Sequence, residues 1–315
     1  MSVDHFASEE EPVCAAWQRL VQAALILFLA ITVLVLARYL VVRNTSGLER
    51  QVQTLTAEVE QLKQEQAMPA VVLNRYRNSI CYIFGIYQVG FPHQQPAQRT
   101  RISGTGFLVA DRLIATNRHV AEPWYGDPDS EVLIEKGATA RLEKLVAYFP
   151  GSPAPVSLTP AALSSDGDLA VVRLDDSVPA GIQPLPLAPG KPTAGELVAV
   201  VGYPMGVLGM MAKAPTPVYA RLAYRRDDQG TASELAALSL IRPSATCGHL
   251  GDVVGDKLIY DAPTAHGASG GPVFNSRGEV IGVNAAYIDG FSGGTLGVSS
   301  GALRPLIEQA RQRDF

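Results

Sequence analysis

Between Leu20 and Ala37 the sequence carries no charged residue, and Leu40-Val41-Val42 extends the apolar run past Arg38 and Tyr39. A run of about 18 or more apolar residues is long enough to cross the hydrocarbon of a bilayer as a helix. Little else is open to it there, because lipid offers no partner to unpaired backbone N–H and C=O groups. The run has no polar face, which argues against a buried core helix. No small-residue cleavage site follows it, as a signal peptide would require. Residues 20–42 are therefore read as a single-pass transmembrane helix. Residues 1–19, acidic through Asp4, Glu9, Glu10 and Glu11, are read as a disordered tail. Arg38, Arg43 and Arg50 follow the uncharged run Leu20–Ala37 and only Arg19 closely precedes it. By itself that bias holds the following portion in the cytoplasm, but large domains translocate largely regardless of it.

Past the span, Leu48, Val52, Leu55, Val59 and Leu62 recur at alternating spacings of four and three. Valine at a, leucine at d, and Glu58 and Lys63 at g and e make 47–67 a short coiled-coil stalk that joins copies of the chain. Valine at a favours two strands. In this reading Met68-Pro69 ends the helix. A hydrophobic fraction of 47% with 18% charged residues indicates a folded chain. The net charge of −4, without any dense Lys/Arg run, excludes nucleic acid as an expected partner. Three cysteines, Cys14, Cys81 and Cys247, are too few for a disulfide scaffold. Two buried free thiols at 81 and 247 are the simpler expectation. His and Cys lack metal-ligand spacing, so no metal and no cofactor is expected.

From Val71 onward short apolar segments alternate with turn residues. Ile80–Tyr87 reads as a strand, and Phe107–Ala110 and Leu113–Thr116 as a hairpin around Asp111-Arg112. Leu169–Leu174, Leu197–Val201 and Leu258–Tyr260 read as further strands, and Val273-Phe274 pairs with Val280–Val283 around Asn-Ser-Arg-Gly. Pro179, Pro184, Pro186, Pro189 and Pro192 make 179–194 a linker that no central strand or helix tolerates. Gly206–Thr246 lacks periodicity and reads as long loops. The expected fold is all-β: one small barrel over 71–178, a second over 195–300, and an amphipathic helix in 301–315 with Leu303, Leu306, Ile307 and Ala310 on one face.

Within the second half, Ala265-His266-Gly267-Ala268-Ser269-Gly270-Gly271-Pro272 sets a serine among small residues. Small neighbours let a carbonyl approach the main chain and let backbone N–H groups converge on it, which suits a nucleophile beside an oxyanion hole. A serine nucleophile needs a base and an acid to orient that base. His119, in Ala115-Thr116-Asn117-Arg118-His119-Val120-Ala121, follows one strand, and Asp168, in Ser165-Asp166-Gly167-Asp168-Leu169, precedes another. An imidazole accepts the serine proton and returns it to the leaving amine, while a carboxylate on its other nitrogen fixes the tautomer. Asp166 is the rival for the acid role.

The segments GTGFLVADRLIATNRHV, SDGDLAVVRLD, LVAVVGYPMGV and DAPTAHGASGGPVFNSRGEVIGVNAA, in that order, resemble the motifs of trypsin-like serine proteases, most of all the HtrA (high-temperature requirement) branch. The resemblance covers Val71 to the end. It implies a chymotrypsin-type double β-barrel with His119 as general base, Asp168 as its orienting acid and Ser269 as nucleophile. The oxyanion hole would be the N–H groups of Gly267 and Ser269, with Ala268 on the same loop. Polypeptide substrates and a role in protein quality control or stress response follow, with the protease domain outside the cytoplasm. HtrA resemblance implies trimers where the stalk pattern favours dimers. A catalytically silent module of the same fold that binds peptide is the alternative. Three departures stand out. Ala268 replaces the aspartate that digestive-type proteases pair with a new N-terminus, and the asparagine usual in the HtrA branch. No PDZ domain is expected after the final helix. His266 adds a titratable group beside the oxyanion loop. The specificity pocket is expected around Pro263, six residues before Ser269, with His266, Gly282, Ala285 and Ala286. Pro263 where trypsin has an acid, and these small residues, imply small or medium apolar side chains at the cleavage site.

Overall fold

A computed structural model describes residues 11–92, 98–287 and 294–312. Residues 1–10 of the expected tail and 313–315 of the expected C-terminal helix lie outside the described residues. The chain divides into two compact units, Met1–Gln64 and Glu65–Phe315.

Helix α1 runs from Glu11 to Tyr76. Its apolar stretch reaches a mean hydropathy of 2.8 with no part of it buried, so it is long and apolar enough to cross a membrane. Two expectations are corrected here. Residues 11–19 are helical, because lengthening an existing helix costs far less than starting one. The helix also does not stop at Met68-Pro69: Pro69 lies inside it. Interior proline costs about 3 kcal/mol. Met68, Val72 and Tyr76, four residues apart, are 5%, 2% and 9% exposed. At roughly 1.5–3 kcal/mol per buried apolar side chain, their burial outweighs the proline. Tyr76 stacks on Phe274 with ring centroids 5.3 Å apart. In the first unit Leu48, Val52, Leu55, Val59 and Leu62 are all exposed, and Lys63 bonds Glu60 on the same helix at 2.9 Å.

The second unit holds two closed antiparallel six-stranded barrels. The first comprises β1 (Ile80–Gly90), β2 (Gln98–Ala110), β3 (Leu113–Thr116), β4 (Thr139–Tyr148), β5 (Val156–Leu163) and β6 (Ala170–Leu174), ordered β1-β2-β3-β6-β5-β4. Between β3 and β4 stand α2 (Arg118–Ala121) and α3 (Pro128–Glu135). The second comprises β7 (Leu197–Gly202), β8 (Ser244–Val254), β9 (Lys257–Tyr260), β10 (Pro272–Phe274), β11 (Val280–Tyr287) and β12 (Thr295–Ser299), ordered β10-β11-β12-β9-β8-β7. Closure removes the free sheet edges. The first strand begins at Ile80, as expected, but residues 71–76, placed in the first barrel from sequence, are the last turns of α1. Gly206–Thr246 is not a set of long loops but carries three helices: α4 (Gly206–Ala212), α5 (Thr216–Leu222) and α6 (Asp228–Ala237). Their apolar side chains Met210, Leu222, Ala232 and Leu235 are buried in the main core.

Strand alternation sorts side chains between the two barrel interiors and the space between the barrels. Along β1, Cys81 and Ile83 face the interior of the first barrel, whereas Tyr82 and Phe84 join the large cluster between barrels. Val198, Val200, Leu258, Val273 and Ile281 fill the second barrel. Into the inter-barrel cluster come Phe107, Tyr148, Val201, Tyr203, Phe274 and Val283. Helix α7 (Ser300–Gln312) closes it with Leu303, Leu306, Ile307 and Ala310. Segment 179–194 is pinned to both barrels: Leu185 N–H donates to Leu108 O at 2.8 Å, and Ala188 N–H to Val280 O at 2.9 Å. Cys81 and Cys247 are free thiols. Cys81 is buried as expected, but Cys247 is exposed on β8.

Candidate active site

β3 delivers the chain to Asn117, whose carbonyl accepts the N–H groups of Val120 and Ala121, each at 3.2 Å, and so starts the single turn of α2. His119 sits on that turn. Asp168 ends the loop that enters β6, the neighbour of β3, so the pairing of these strands brings the two residues together. One carboxylate oxygen of Asp168 accepts the main-chain N–H of His119 at 3.0 Å, and the other lies 2.8 Å from its Nδ1. A carboxylate only accepts, so Nδ1 carries a proton and the neutral ring keeps a lone pair on Nε2. Both side chains are partly buried. Asn117 Nδ2 holds the Asp168 carbonyl at 2.7 Å. Arg118 fastens the loop from the other side: it bonds Ser164 O at 2.8 Å and Glu122 at 2.7 Å, and lies over the Tyr125 ring at 4.1 Å. Asp166 is exposed and makes no bond to His119 among the described residues.

Ser269 arrives from the second barrel on the turn between β9 and β10. Thr105, on β2 of the first barrel and fully buried, is the junction. Its N–H donates to Ser269 O at 2.7 Å, its hydroxyl to Gly267 O at 2.7 Å, and its Oγ1 accepts the Tyr203 N–H at 3.0 Å. Gly270, at φ +87°, packs so closely that an added Cβ would lie 2.0 Å from Thr105 O. Only glycine suits both that backbone and that gap.

Two main-chain donors beside the Ser269 side chain have no acceptor among the described residues. His266 O accepts Met205 N–H at 2.6 Å, and Ala268 O accepts Gly271 N–H at 3.0 Å and Asn284 Nδ2 at 3.0 Å. In a trans peptide C=O and N–H point opposite ways. The N–H groups of Gly267 and Ser269 therefore turn away from those partners, and neither has an acceptor among the described residues. Ala268 N–H, by contrast, is held by Ala265 O at 3.0 Å.

His119 and Ser269 line one cavity of about 380 Å³ with Thr264, His266, Ala285 and Ala286. The Ser269 hydroxyl donates to Ala285 O at 3.1 Å, and no Ser269–His119 hydrogen bond is present among the described residues. Of the expected pocket residues, His266, Ala285 and Ala286 line this cavity. Pro263 borders a separate one of about 230 Å³ with Ala268. Gly282 lies in neither: it pairs with Ser299, and a Cβ there would strike Leu258 at 2.4 Å. Thr105, Asn117, Arg118, Tyr260 and Asn284 escaped the sequence reading. Only Thr105 left a trace, as the one non-glycine in Gly104-Thr105-Gly106. Among the described residues no group of three or more His, Cys, Asp or Glu side chains is placed to hold a metal.

Residues 104–283 match the family model described as a trypsin-like peptidase domain. A probable periplasmic serine endoprotease, DegP-like, of Rhizobium meliloti is 28% identical over 210 residues, covering 66% of this chain and 32% of that protein. Its counterpart of the same description from Pseudomonas fluorescens is 29% identical over 218 residues, covering 68% and 35%. The chain thus spans about a third of the length of the curated relatives it matches. The crystal structure of a serine endoprotease from Yersinia pestis aligns at a TM-score of 0.48 with 17% identity, covering 76% of this chain and 65% of that one.

Proposed function

The chain belongs to the trypsin-like peptidase family, and from that premise we propose that it is a membrane-anchored serine endopeptidase of the HtrA type. Ser269 is the nucleophile, His119 the general base and Asp168 the acid that orients it. The observation that carries this reading is the two-point grip of Asp168 on His119 at the edge of the cavity holding Ser269. A rotation about the Ser269 side chain turns its hydroxyl from Ala285 O toward Nε2. The proton passes to Nε2 as Oγ attacks the substrate carbonyl, and the developing oxyanion meets the N–H groups of Gly267 and Ser269. The imidazolium, stabilised by Asp168, protonates the leaving amine. Water then repeats the sequence on the acyl-enzyme.

Around this core, residues 20–42 anchor the chain in the membrane. The periplasmic description of the DegP-like relatives favours a protease domain outside the cytoplasm. The exposed stripe Leu48–Val52–Leu55–Val59–Leu62 joins copies of the chain, since an apolar seam left in water has burial to gain. Substrates are polypeptides, met in protein quality control or a stress response.

A second reading, a silent module that binds peptide, is favoured by the Ser269 hydroxyl bonding Ala285 O and not the imidazole. A fluorophosphonate probe applied to the full chain in detergent micelles decides between them. Wild type is expected to react covalently and to cleave casein, and Ser269→Ala to do neither. A wild-type chain that stays unlabelled and cleaves nothing hands the case to the silent module.

A further inference from the structure

The cavity that holds Ser269 is backed by a relay of neutral hydrogen bonds. Tyr260 Oη donates to Asn284 Oδ1 at 2.7 Å, and Asn284 Nδ2 donates to Ala268 O at 3.0 Å and to Thr264 Oγ1 at 3.3 Å. The direction of the relay is forced at both ends. A main-chain carbonyl only accepts, so the amide edge facing Ala268 O is the NH2 edge. Burial pushes the Tyr260 phenol well above its ordinary pKa, so it remains a proton donor for the oxygen edge. Asn284, only 1% exposed, thereby spends both amide hydrogens. One of them occupies a lone pair of Thr264 Oγ1. The Thr264 hydroxyl proton has no acceptor among the described residues, and Thr264 is half-buried on the wall shared with Ser269. Around it stand the methyl groups of Ala265, Ala285 and Ala286.

We propose that this cavity receives the side chain preceding the scissile bond (P1), and that Thr264 selects one bearing an uncharged acceptor oxygen. Threonine, serine, asparagine and glutamine fit that description. The inference rests on the peptidase reading above. It revises the apolar preference expected from sequence, which weighed the alanines but had no view of the relay. An aliphatic side chain of the same shape displaces the water open to the Thr264 proton and gives it no acceptor in return, and a donor buried without a partner is costly. A carboxylate surrenders its hydration for one neutral hydroxyl, a poor exchange. The alanine walls set the size limit and the relay sets the polarity.

For the test, a separate aliquot is labelled with a fluorophosphonate to establish a reactive serine, and the full chain in detergent micelles is left untreated. It is assayed on fluorogenic peptides that differ only at P1. Threonine is expected to exceed valine about tenfold in kcat/KM, the worth of one hydrogen bond, and glutamine to exceed glutamate. In Thr264→Val the threonine-to-valine ratio collapses to about one, while Thr264→Ser keeps it. Because the ratio is taken within each variant, a general loss of rate cancels. Enzyme whose aliquot labels but which cuts the valine peptide as fast as the threonine one overturns the proposal and leaves the peptidase reading standing. So does a glutamate preference, an unchanged ratio in Thr264→Val, or failure to cleave any of the peptides. Wild-type enzyme whose probe-treated aliquot stays unlabelled and that cleaves nothing overturns both.

Discussion

At the scale of single residues, the site depends on which atom carries which proton. Asp168 meets both the main chain and the ring of His119, so its amide analogue keeps the packing and misdirects the imidazole. In Asp168→Asn the carboxamide offers an NH2 edge that stabilises the Nδ1 lone pair and puts the ring proton on Nε2, where it blocks base catalysis. We expect this variant to fold with an unchanged melting temperature and to lose about 10⁴-fold in kcat. Asp166→Asn should retain a near wild-type rate, and a severe loss there would move the acid role. The three candidate catalytic residues were legible because His119 and Asp168 flank apolar strands in short polar motifs and Ser269 stands in a run of small residues. Thr105 and Asn284 were not. Their importance lies in bonds to residues far away in sequence, and a threonine or asparagine in a strand has no local signature of what it will touch.

At the scale of elements, patterns with a period were legible and those without one were not. The β2–β3 hairpin appears with Phe107 opposite Ala115, as its two apolar runs and intervening turn imply. By contrast β4 begins exposed, through Arg141, Glu143 and Lys144, and ends buried, so no alternation runs its length. The helices of the α4–α6 insertion are short, so their buried faces, Val207 with Met210 and Met211 and then Ala232 with Leu235 and Ala236, leave stripes too brief to find. Pro69 misled for a different reason: a local stop signal yields when tertiary burial outweighs it. Helix α7 shows the favourable case. Its apolar face, spaced for a helix, packs on strands of both barrels, and Arg173 Nη2 holds its Ala310 carbonyl at 2.6 Å. Leu303, fully buried there, has no other support to collapse into. Leu303→Ala is expected to cost about 2–4 kcal/mol, read as a lowered urea midpoint, with labelling of Ser269 lost in parallel because both barrels lose their shared brace.

At the scale of the whole molecule, burial of protonated groups sets an alkaline limit. Burial pushes the Cys81 thiol up to about 12 and raises the phenols of Tyr203 and Tyr260 well above their ordinary value. In the unfolded chain these groups ionise near their ordinary pKa values, about 8.5 for the thiol and about 10 for the phenols. Folded pKa above unfolded pKa means the stabilisation is complete below pH of about 8.5 and drains away as pH rises toward 12, by up to about 1.4 kcal/mol per unit for each group. The melting temperature should hold steady from neutrality to mild alkali and then fall. Cys81→Ala should shift that fall to higher pH; an unaltered profile would show that the thiol contributes nothing. The brace made by α7 carries a last implication for the protein's birth. His119, Asp168 and Ser269 all leave the ribosome ahead of the helix that locks their barrels together. A half-made chain therefore carries all three candidate catalytic residues without the brace that joins their barrels, and on the proposed function the site is completed only once α7 has emerged.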